Sequence, residues 1–175
     1  MPSLLLGACI WIAHPAAQDP GPEYRLKAAF VSKFPEFTEW PESALSNRKT
    51  LDLCVARPNP FGSSLSDLVV GETVRGRPLV ARDVADARAI DTCQLLFVPR
   101  LPARARKALL ARAATRPILT VGDYPGFLDE GGIVNLRLVD GQVRFEINVA
   151  AANRAGVRLS SQLLRLALNV RGGPS

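Results

Sequence analysis

The stretch GGIVNLRLVDGQVRFEIN, Gly131 to Asn148, constrains this chain more than any other. Asp140-Gly141 reads as a two-residue hairpin turn, because both central positions of a type I′ turn need positive φ, and alternating residues flank the pair. With those two as the loop, Val139 faces Gln142. The pairs then run outward as Leu138 with Val143, Arg137 with Arg144, Leu136 with Phe145, Asn135 with Glu146 and Val134 with Ile147. Side chains of a strand alternate between faces, so Val134, Leu136, Leu138, Val143, Phe145 and Ile147 make one apolar face for a core. Asn135, Arg137, Arg144, Glu146 and Asn148 share the other.

That polar face sets Arg137 directly opposite Arg144, which destabilises a sheet unless an anion or a diagonal carboxylate such as Glu146 offsets the repulsion. Two readings are open. The face is solvated, as one side of an antiparallel sheet commonly is, or it holds a partner or an anion.

A chain of 175 residues suits one domain, and its apolar content is enough for a core. The net charge of +6 rests on 18 Arg against 4 Lys, a balance that would suit nucleic acid. The N-terminus argues otherwise. Leu4 to Ala17, LLLGACIWIAHPAA, is apolar, too short to span a bilayer and closed by small residues, as a secretory signal is. The expected division is a signal peptide over 1–17, a linker over 18–22, an α/β domain over 23–171 and a tail over 172–175. Leu6-Gly7-Ala8-Cys9 resembles a lipoprotein box that would anchor the protein through Cys9. Ile10-Trp11-Ile12 continues the apolar run past that point, so ordinary export to the periplasm is the reading taken.

Export has chemical consequences. It removes His14, the only histidine, and with it Ser-His-Asp and Cys-His nucleophile systems and imidazole-based zinc sites in their usual forms. It also takes DNA out of reach. Neither a cofactor nor a metal is expected. Cys54 and Cys93 remain, an even number in an oxidising compartment, each on an expected strand, and a disulfide is the natural reading. A redox-active pair is the rival, although nothing here has the Cys-x-x-Cys form.

Along the chain, Glu23 to Trp40 places Leu26, Phe30, Phe34 and Phe37 at helical spacing, with Arg25, Lys27, Lys33 and Glu36 elsewhere, and Pro35 should break this helix near Phe34. Leu51–Ala56 reads as a buried strand, and Pro60–Val70 as a helix capped by Asn59. Strands are expected over Arg77–Val84, Cys93–Pro99 and Pro117–Val121, with a helix over Ala103–Ala114. This alternation predicts an α/β fold: a central mixed sheet flanked by helices, with the C-terminal antiparallel hairpin and terminal helices, in a single domain. The loop GDYPGFLDEGG, Gly122 to Gly132, leaves the carboxyl end of a buried strand, where open α/β sheets build ligand sites, but it lacks a phosphate-binding glycine pattern. Val149–Ala155 should be a short helix stopped by Gly156. The final segment SQLLRLALNV, capped by Ser160 or Ser161, is apolar over much of its circumference, so it docks deeply or pairs with a second copy as a homodimer.

Several strings in order resemble the YfiR/HmsC-like family of exported bacterial regulators: LKAAFVSKFPEFTEWP from Leu26, LCVARPNPFG from Leu53, CQLLFVP from Cys93, ILTVGDYPGFLDEGGIVNL from Ile118, VRFEIN from Val143 and AGVRLSSQLLRLA from Ala155. The resemblance covers nearly the whole mature chain. It implies a compact periplasmic α/β domain that is not an enzyme. Such a protein binds the periplasmic part of an inner-membrane diguanylate cyclase and holds it inactive, lowering cyclic di-GMP and biofilm formation. An outer-membrane OmpA/Pal-like lipoprotein is the further partner it implies. Cys54 and Cys93 match the family's disulfide positions. Glu146, within Arg144-Phe145-Glu146-Ile147-Asn148, matches a strand motif implicated in partner or small-ligand contact, and Arg158 matches a basic position near it. The expected contact set is therefore Arg137, Arg144, Glu146, Asn148 and Arg158. The competing readings are a periplasmic small-molecule sensor and a thiol oxidoreductase.

Overall fold

The computed structural model describes residues 20–173; the expected signal segment, with Cys9 and His14, lies outside them. Ten strands and six α-helices follow in the order α1 (Gly21–Lys33), β1 (Thr38–Glu39), α2 (Glu42–Leu45), β2 (Leu51–Ala56), α3 (Ser64–Val69), β3 (Thr73–Val74), β4 (Arg77–Val84), β5 (Leu95–Val98), α4 (Ala103–Ala113), β6 (Leu119–Gly122), β7 (Val134–Val139), β8 (Gln142–Asn148), α5 (Val149–Ala155), β9 (Arg158–Leu159), α6 (Ser161–Leu166) and β10 (Asn169–Arg171). Short 3₁₀ turns cover Phe34–Phe37 and Ala87–Thr92.

Eight strands form one mixed sheet in the order β10-β8-β7-β6-β5-β2-β4-β3. Its centre is parallel, from β4 through β2, β5 and β6 to β7, and the hairpin turns β8 antiparallel to β7. β2 and β5 are buried along their whole length, as strands covered on both faces must be, and this is why LLFV is an unbroken apolar run and LDLCVA is broken only by Asp52, which pairs with Arg82 at 2.9 Å. Leu53, Val55, Leu95 and Phe97 face one core with α1, α3 and α5. Cys54, Leu96 and Val98 face a second core with α4. The architecture is the expected helix-flanked mixed sheet in one domain.

The hairpin holds the expected register at all six pairs, from Val139 with Gln142 to Val134 with Ile147. Asp140 and Gly141 both sit at positive φ, 50° and 75°. Leu138 departs from the expected core face. It is half exposed, because the turn end of the hairpin reaches beyond the helices that cover its base.

Three helices differ from expectation. α1 ends at Lys33 and passes into a 3₁₀ turn with Pro35 in its first residues, the break that proline imposes. Its buried face, however, is Lys27, Ala28, Val31 and Ser32, while Leu26 is exposed. α3 begins only at Ser64. Asn59 accepts the Phe61 amide proton through Oδ1 at 2.8 Å, so it closes a local turn instead of capping a helix. α6 ends at Leu166, and Asn169–Arg171 becomes β10, parallel to β8. Leu166, Leu168 and Val170 therefore remain exposed, where a longer helix would have buried part of that stripe. Gly156 stops α5 at φ 73°, as expected of a left-handed helix end.

Cys54 and Cys93 form a disulfide, 39 residues apart in sequence with Cα atoms 5.8 Å apart. Both cysteines are buried in the second core, out of reach of an attacking thiolate. This placement suits a structural bond and opposes the oxidoreductase reading. Closing a loop of that length constrains the unfolded chain by about 4 kcal/mol in the chain-entropy model. Cys54→Ala/Cys93→Ala should therefore lose roughly that much stability in denaturant titration. Native protein unfolded without reductant should show no labelled thiol from this pair; two labelled thiols would contradict the bond.

Candidate interaction site

The polar face of the hairpin is only partly wet. Arg137 Nη1 donates to Glu146 Oε1 at 3.1 Å, and Arg144 Nη2 donates to the Gln142 side-chain oxygen at 2.6 Å. The like charges of Arg137 and Arg144 thus each have their own acceptor, and the diagonal carboxylate is what offsets their repulsion. Both Arg side chains are exposed, whereas the Glu146 side chain is 14% exposed and Asn135 only 4%. Among the described residues, Oδ1 of Asn135 is the buried side-chain polar atom with no hydrogen-bond partner. An unmet buried acceptor costs about 1–3 kcal/mol.

The cover over this face comes from the loop after β6. Residues 123–126 and Arg171 of β10 enclose, with Asn135, Arg137, Leu138 and Glu146, a cleft of about 330 Å³. Arg171 Nη1 reaches Asp129 Oδ1 at 2.5 Å. Two charge networks hold the loop in place. In the first, Lys27 Nζ donates to Asp123 Oδ2 at 2.8 Å and pairs with Glu23 at 2.6 Å. The Lys27 and Asp123 side chains are 5% and 3% exposed. Burial alone would lower the Lys27 pKa, but its hydrogen bonds to Asp123 and Glu23 outweigh that and raise it. Tyr24 stands beside them, its pKa pushed up to about 12 by burial and by Asp123.

In the second network, Arg106 grips Glu130 with two bonds, Nε at 3.0 Å and Nη2 at 2.6 Å, and the Tyr124 hydroxyl donates to Glu130 at 3.0 Å. The Arg106 guanidinium lies 4.8 Å from the centre of the Tyr124 ring. Arg106, more than burial, decides the Glu130 carboxyl, which is held below the usual carboxylate range; burial and Glu130 push the Tyr124 hydroxyl up. Beneath the loop, the Phe127 ring lies so close to Gly122 and Gly132 that a Cβ on either would overlap it. Those glycines make room for a ring, a reason that turn chemistry alone did not supply.

The expected contact residues do not all meet. Arg137, Arg144 and Glu146 share the face. Asn148 lies on the same strand, but its Oδ1 caps α5 through the Ala151 amide at 3.0 Å and its Nδ2 donates to the Leu128 carbonyl at 3.2 Å, so its amide secures the fold. Arg158 is elsewhere. It belongs to the β1–β9 ribbon, opposite Glu39, and lines a separate cleft of about 460 Å³ with Trp40, Pro41 and Asn153. The residues that sequence reasoning missed are Lys27, Asp123, Asn135 and Arg171. The Glu23–Lys27 spacing of four was visible as a helical ion pair; its burial was not. The alternation of Leu166, Leu168 and Val170 was the available sign of the final strand.

A family model described as YfiR/HmsC-like matches residues 24–168, and the chain belongs to that family. The family is periplasmic and regulatory, not catalytic, and membership implies a regulator of diguanylate cyclase signalling. Among solved structures, the chain resembles the "ABC domain in complex with L-Trp" from Streptococcus pneumonia at TM-score 0.52 and 11% identity, covering 80% of this chain and 58% of that one. It also matches a conserved domain protein from Vibrio cholerae O1 biovar El Tor at TM-score 0.49 and 15% identity, covering 74% of this chain and 57% of that one. The first likeness bears on the fold alone. Among the described residues no helix is long and apolar enough to cross a membrane.

The Arg106–Glu130 clamp should show in acid. A carboxyl whose folded-state pKa lies below its unfolded value stabilises the fold above the unfolded pKa, and that contribution is lost as pH falls through the folded value. Glu130→Gln should therefore lower the melting temperature at pH 7, and the gap from wild type should close below pH ~4. A gap that stays constant down to pH ~2 would assign the effect to packing instead.

Proposed function

We propose that this protein is a periplasmic repressor that binds the periplasmic part of an inner-membrane diguanylate cyclase, holds it inactive, and so lowers cyclic di-GMP and biofilm formation. The observation that carries the reading is the state of Glu146, a carboxylate largely shielded from water yet held at the edge of an open cleft between two exposed arginines. A partner that brought a cation to Glu146 and anions to Arg137 and Arg144 would meet a face whose charges are already positioned. The net charge of +6 favours association with an acidic partner surface by electrostatic steering.

A second feature supports a protein partner. On the opposite side of the hairpin, Phe30, Phe34, Phe37, Phe145, Leu163 and Leu166 line an apolar groove of about 240 Å³, with Leu166 largely exposed. Contiguous apolar surface rimmed by polar residues is one mark of a contact site. An OmpA/Pal-like outer-membrane lipoprotein that sequesters the repressor is the second partner in this reading. Export, with removal of the N-terminal segment, places the protein where both partners could reach it.

Deletion of the gene should raise cyclic di-GMP in cells that carry the cognate cyclase; unchanged levels with the cyclase expressed would count against repression. Glu146→Ala should weaken capture of the cyclase's periplasmic domain by about 2–5 kcal/mol, the range for truncating one member of a desolvated charge pair, while leaving the fold intact. Phe145→Ala is the opposite case. Its ring packs edge-on against Phe34 at 5.6 Å and Phe30 at 6.2 Å, so its loss should destabilise the domain by roughly 3–5 kcal/mol through a cavity. Normal capture by Glu146→Ala would remove this face from the interface.

A further inference from the structure

We infer that the outer face of α4, with Arg100 at its approach, docks the protein onto an anionic lipid surface, where Arg100, Arg104 and Lys107 meet headgroup phosphates. This surface is separate from the hairpin and does not rest on the repressor reading.

Charge is distributed unevenly along the chain. Residues 92–122 contain six cations, Arg100, Arg104, Arg106, Lys107, Arg112 and Arg116, and no Asp or Glu. Of the 22 Lys and Arg, the other 16 are balanced by 16 Asp and Glu. The net charge of +6 is therefore the charge of this one segment.

The fold concentrates it further. α4 buries Leu109, Leu110 and Ala113 in the second core. Arg104, Lys107, Ala108 and Ala111, spaced i, i+3, i+4 and i+7, form the opposite, exposed stripe. The acids around the helix are already engaged. Glu130 takes Arg106 and the Tyr124 hydroxyl, and Asp91 takes Arg112 and Arg116. Asp86, on the 3₁₀ turn packed against α4, accepts the Arg88 and Ala89 amides. Arg106 governs Glu130, and Lys107 adds only a weaker through-space attraction. Among the described residues, the side chains of Arg100, Arg104 and Lys107 make no hydrogen bond or ion pair. The first turn of α4 holds no acid, so the cations gathered there oppose the helix dipole. An arrangement that weakens the helix and leaves its charge unused is one that an anionic partner would reverse.

The chemistry of the face decides which partner. Protein interfaces draw most of their energy from a few large anchors in desolvated pockets, and none of the large exposed hydrophobic residues lies on α4. Grooves for single-stranded nucleic acid add aromatic side chains on which bases stack, and α4 has none. Between its exposed cations there is only alanine. A lipid surface asks for neither anchor nor stacking platform, because its field attracts each basic side chain that comes near. Orientation agrees with this. α4 covers the side of the sheet opposite α1, and by strand alternation Glu146 faces that same side. Docking through α4 thus turns the hairpin's polar face toward the membrane.

The test is co-sedimentation of the full chain with vesicles of phosphatidylglycerol and phosphatidylcholine in equal parts. Vesicles of phosphatidylcholine alone register any binding through the apolar N-terminal stretch. Binding should need the anionic lipid and should weaken by about tenfold or more as NaCl rises from about 0.05 to about 0.5 M, because salt screens exposed charge. Arg100→Gln/Arg104→Gln/Lys107→Gln should weaken it about a hundredfold, the loss expected for three cations near such a surface. That variant should melt no lower than wild type, since glutamine suits a helix and no bond is broken. Lys33→Gln/Arg75→Gln/Arg165→Gln removes the same charge from exposed side chains away from α4 and should keep most of the affinity. The inference is overturned if neutral vesicles bind as well, if the α4 variant binds as wild type does, or if the control variant loses as much. Tighter capture by a DNA duplex or by polyglutamate than by the anionic vesicles would also overturn it. No cyclase enters the experiment, so its failure and the failure of the repressor reading are separate results.

Discussion

Register in the hairpin is the constraint on which the other features depend. Because side chains alternate, sliding β8 by one residue against β7 would turn Phe145 out to water and carry Arg144 and Glu146 into the core. The turn at Asp140-Gly141 prevents that slip, since both residues sit in the positive-φ region that a two-residue connection demands. Everything on either face follows. On the apolar side, Phe145 meets the Phe30 and Phe34 rings and joins the hairpin to α1. On the polar side, Glu146 lands diagonal to Arg137 and beside Asn135, and a cleft becomes possible.

The cleft also needs a rigid wall, and the chain builds one from buried charge. A Lys27–Asp123 pair in the interior joins the first helix to a loop almost a hundred residues later, at 2.8 Å. Such pairs add little net stability, because desolvating two ions offsets most of their attraction, yet breaking one leaves an uncompensated charge and is strongly unfavourable. Their effect is to exclude other arrangements of the loop. The Arg106–Glu130–Tyr124 cluster does the same from the side of α4. With Phe127 filling the space between Gly122 and Gly132, an eleven-residue loop acquires one conformation from polar bonds above and a ring below.

These features suit the regulatory family to which the chain belongs. The disulfide is buried in a core, where it stabilises and does not exchange. Histidine-based chemistry has no residue to use between Pro20 and Gly173. What the surface offers instead is recognition: paired charges at one face of the hairpin, an apolar groove at the other, and a separate cleft around Arg158 and Trp40. A family of periplasmic regulators is a natural setting for this combination.

The sequence by itself determined the parts whose physics is local. Apolar runs of strand length, a Gly at the end of α5, a proline after Phe34 and a two-residue turn are each decided within a few residues, and β2, β4, α4, α5 and the six hairpin pairs lie where those signals put them, to within a residue. The cysteine pairing was legible because Cys54 and Cys93 are the two cysteines of the sequence beyond residue 20. Tertiary structure decided what depends on residues far apart. Lys27 looked like a solvent-facing charge until Asp123 met it. Leu26 and Leu138 looked like core until the extent of their neighbours left them exposed. The end of the last helix was decided by pairing with β8, which offered Asn169–Arg171 backbone partners that a helix would have left unused. Arg158 and Glu146, twelve residues apart, line different clefts because α5 intervenes between their strands. Local propensity fixes the kind of element; which side chains then share a site depends on long-range packing, and that is absent from any short window of sequence.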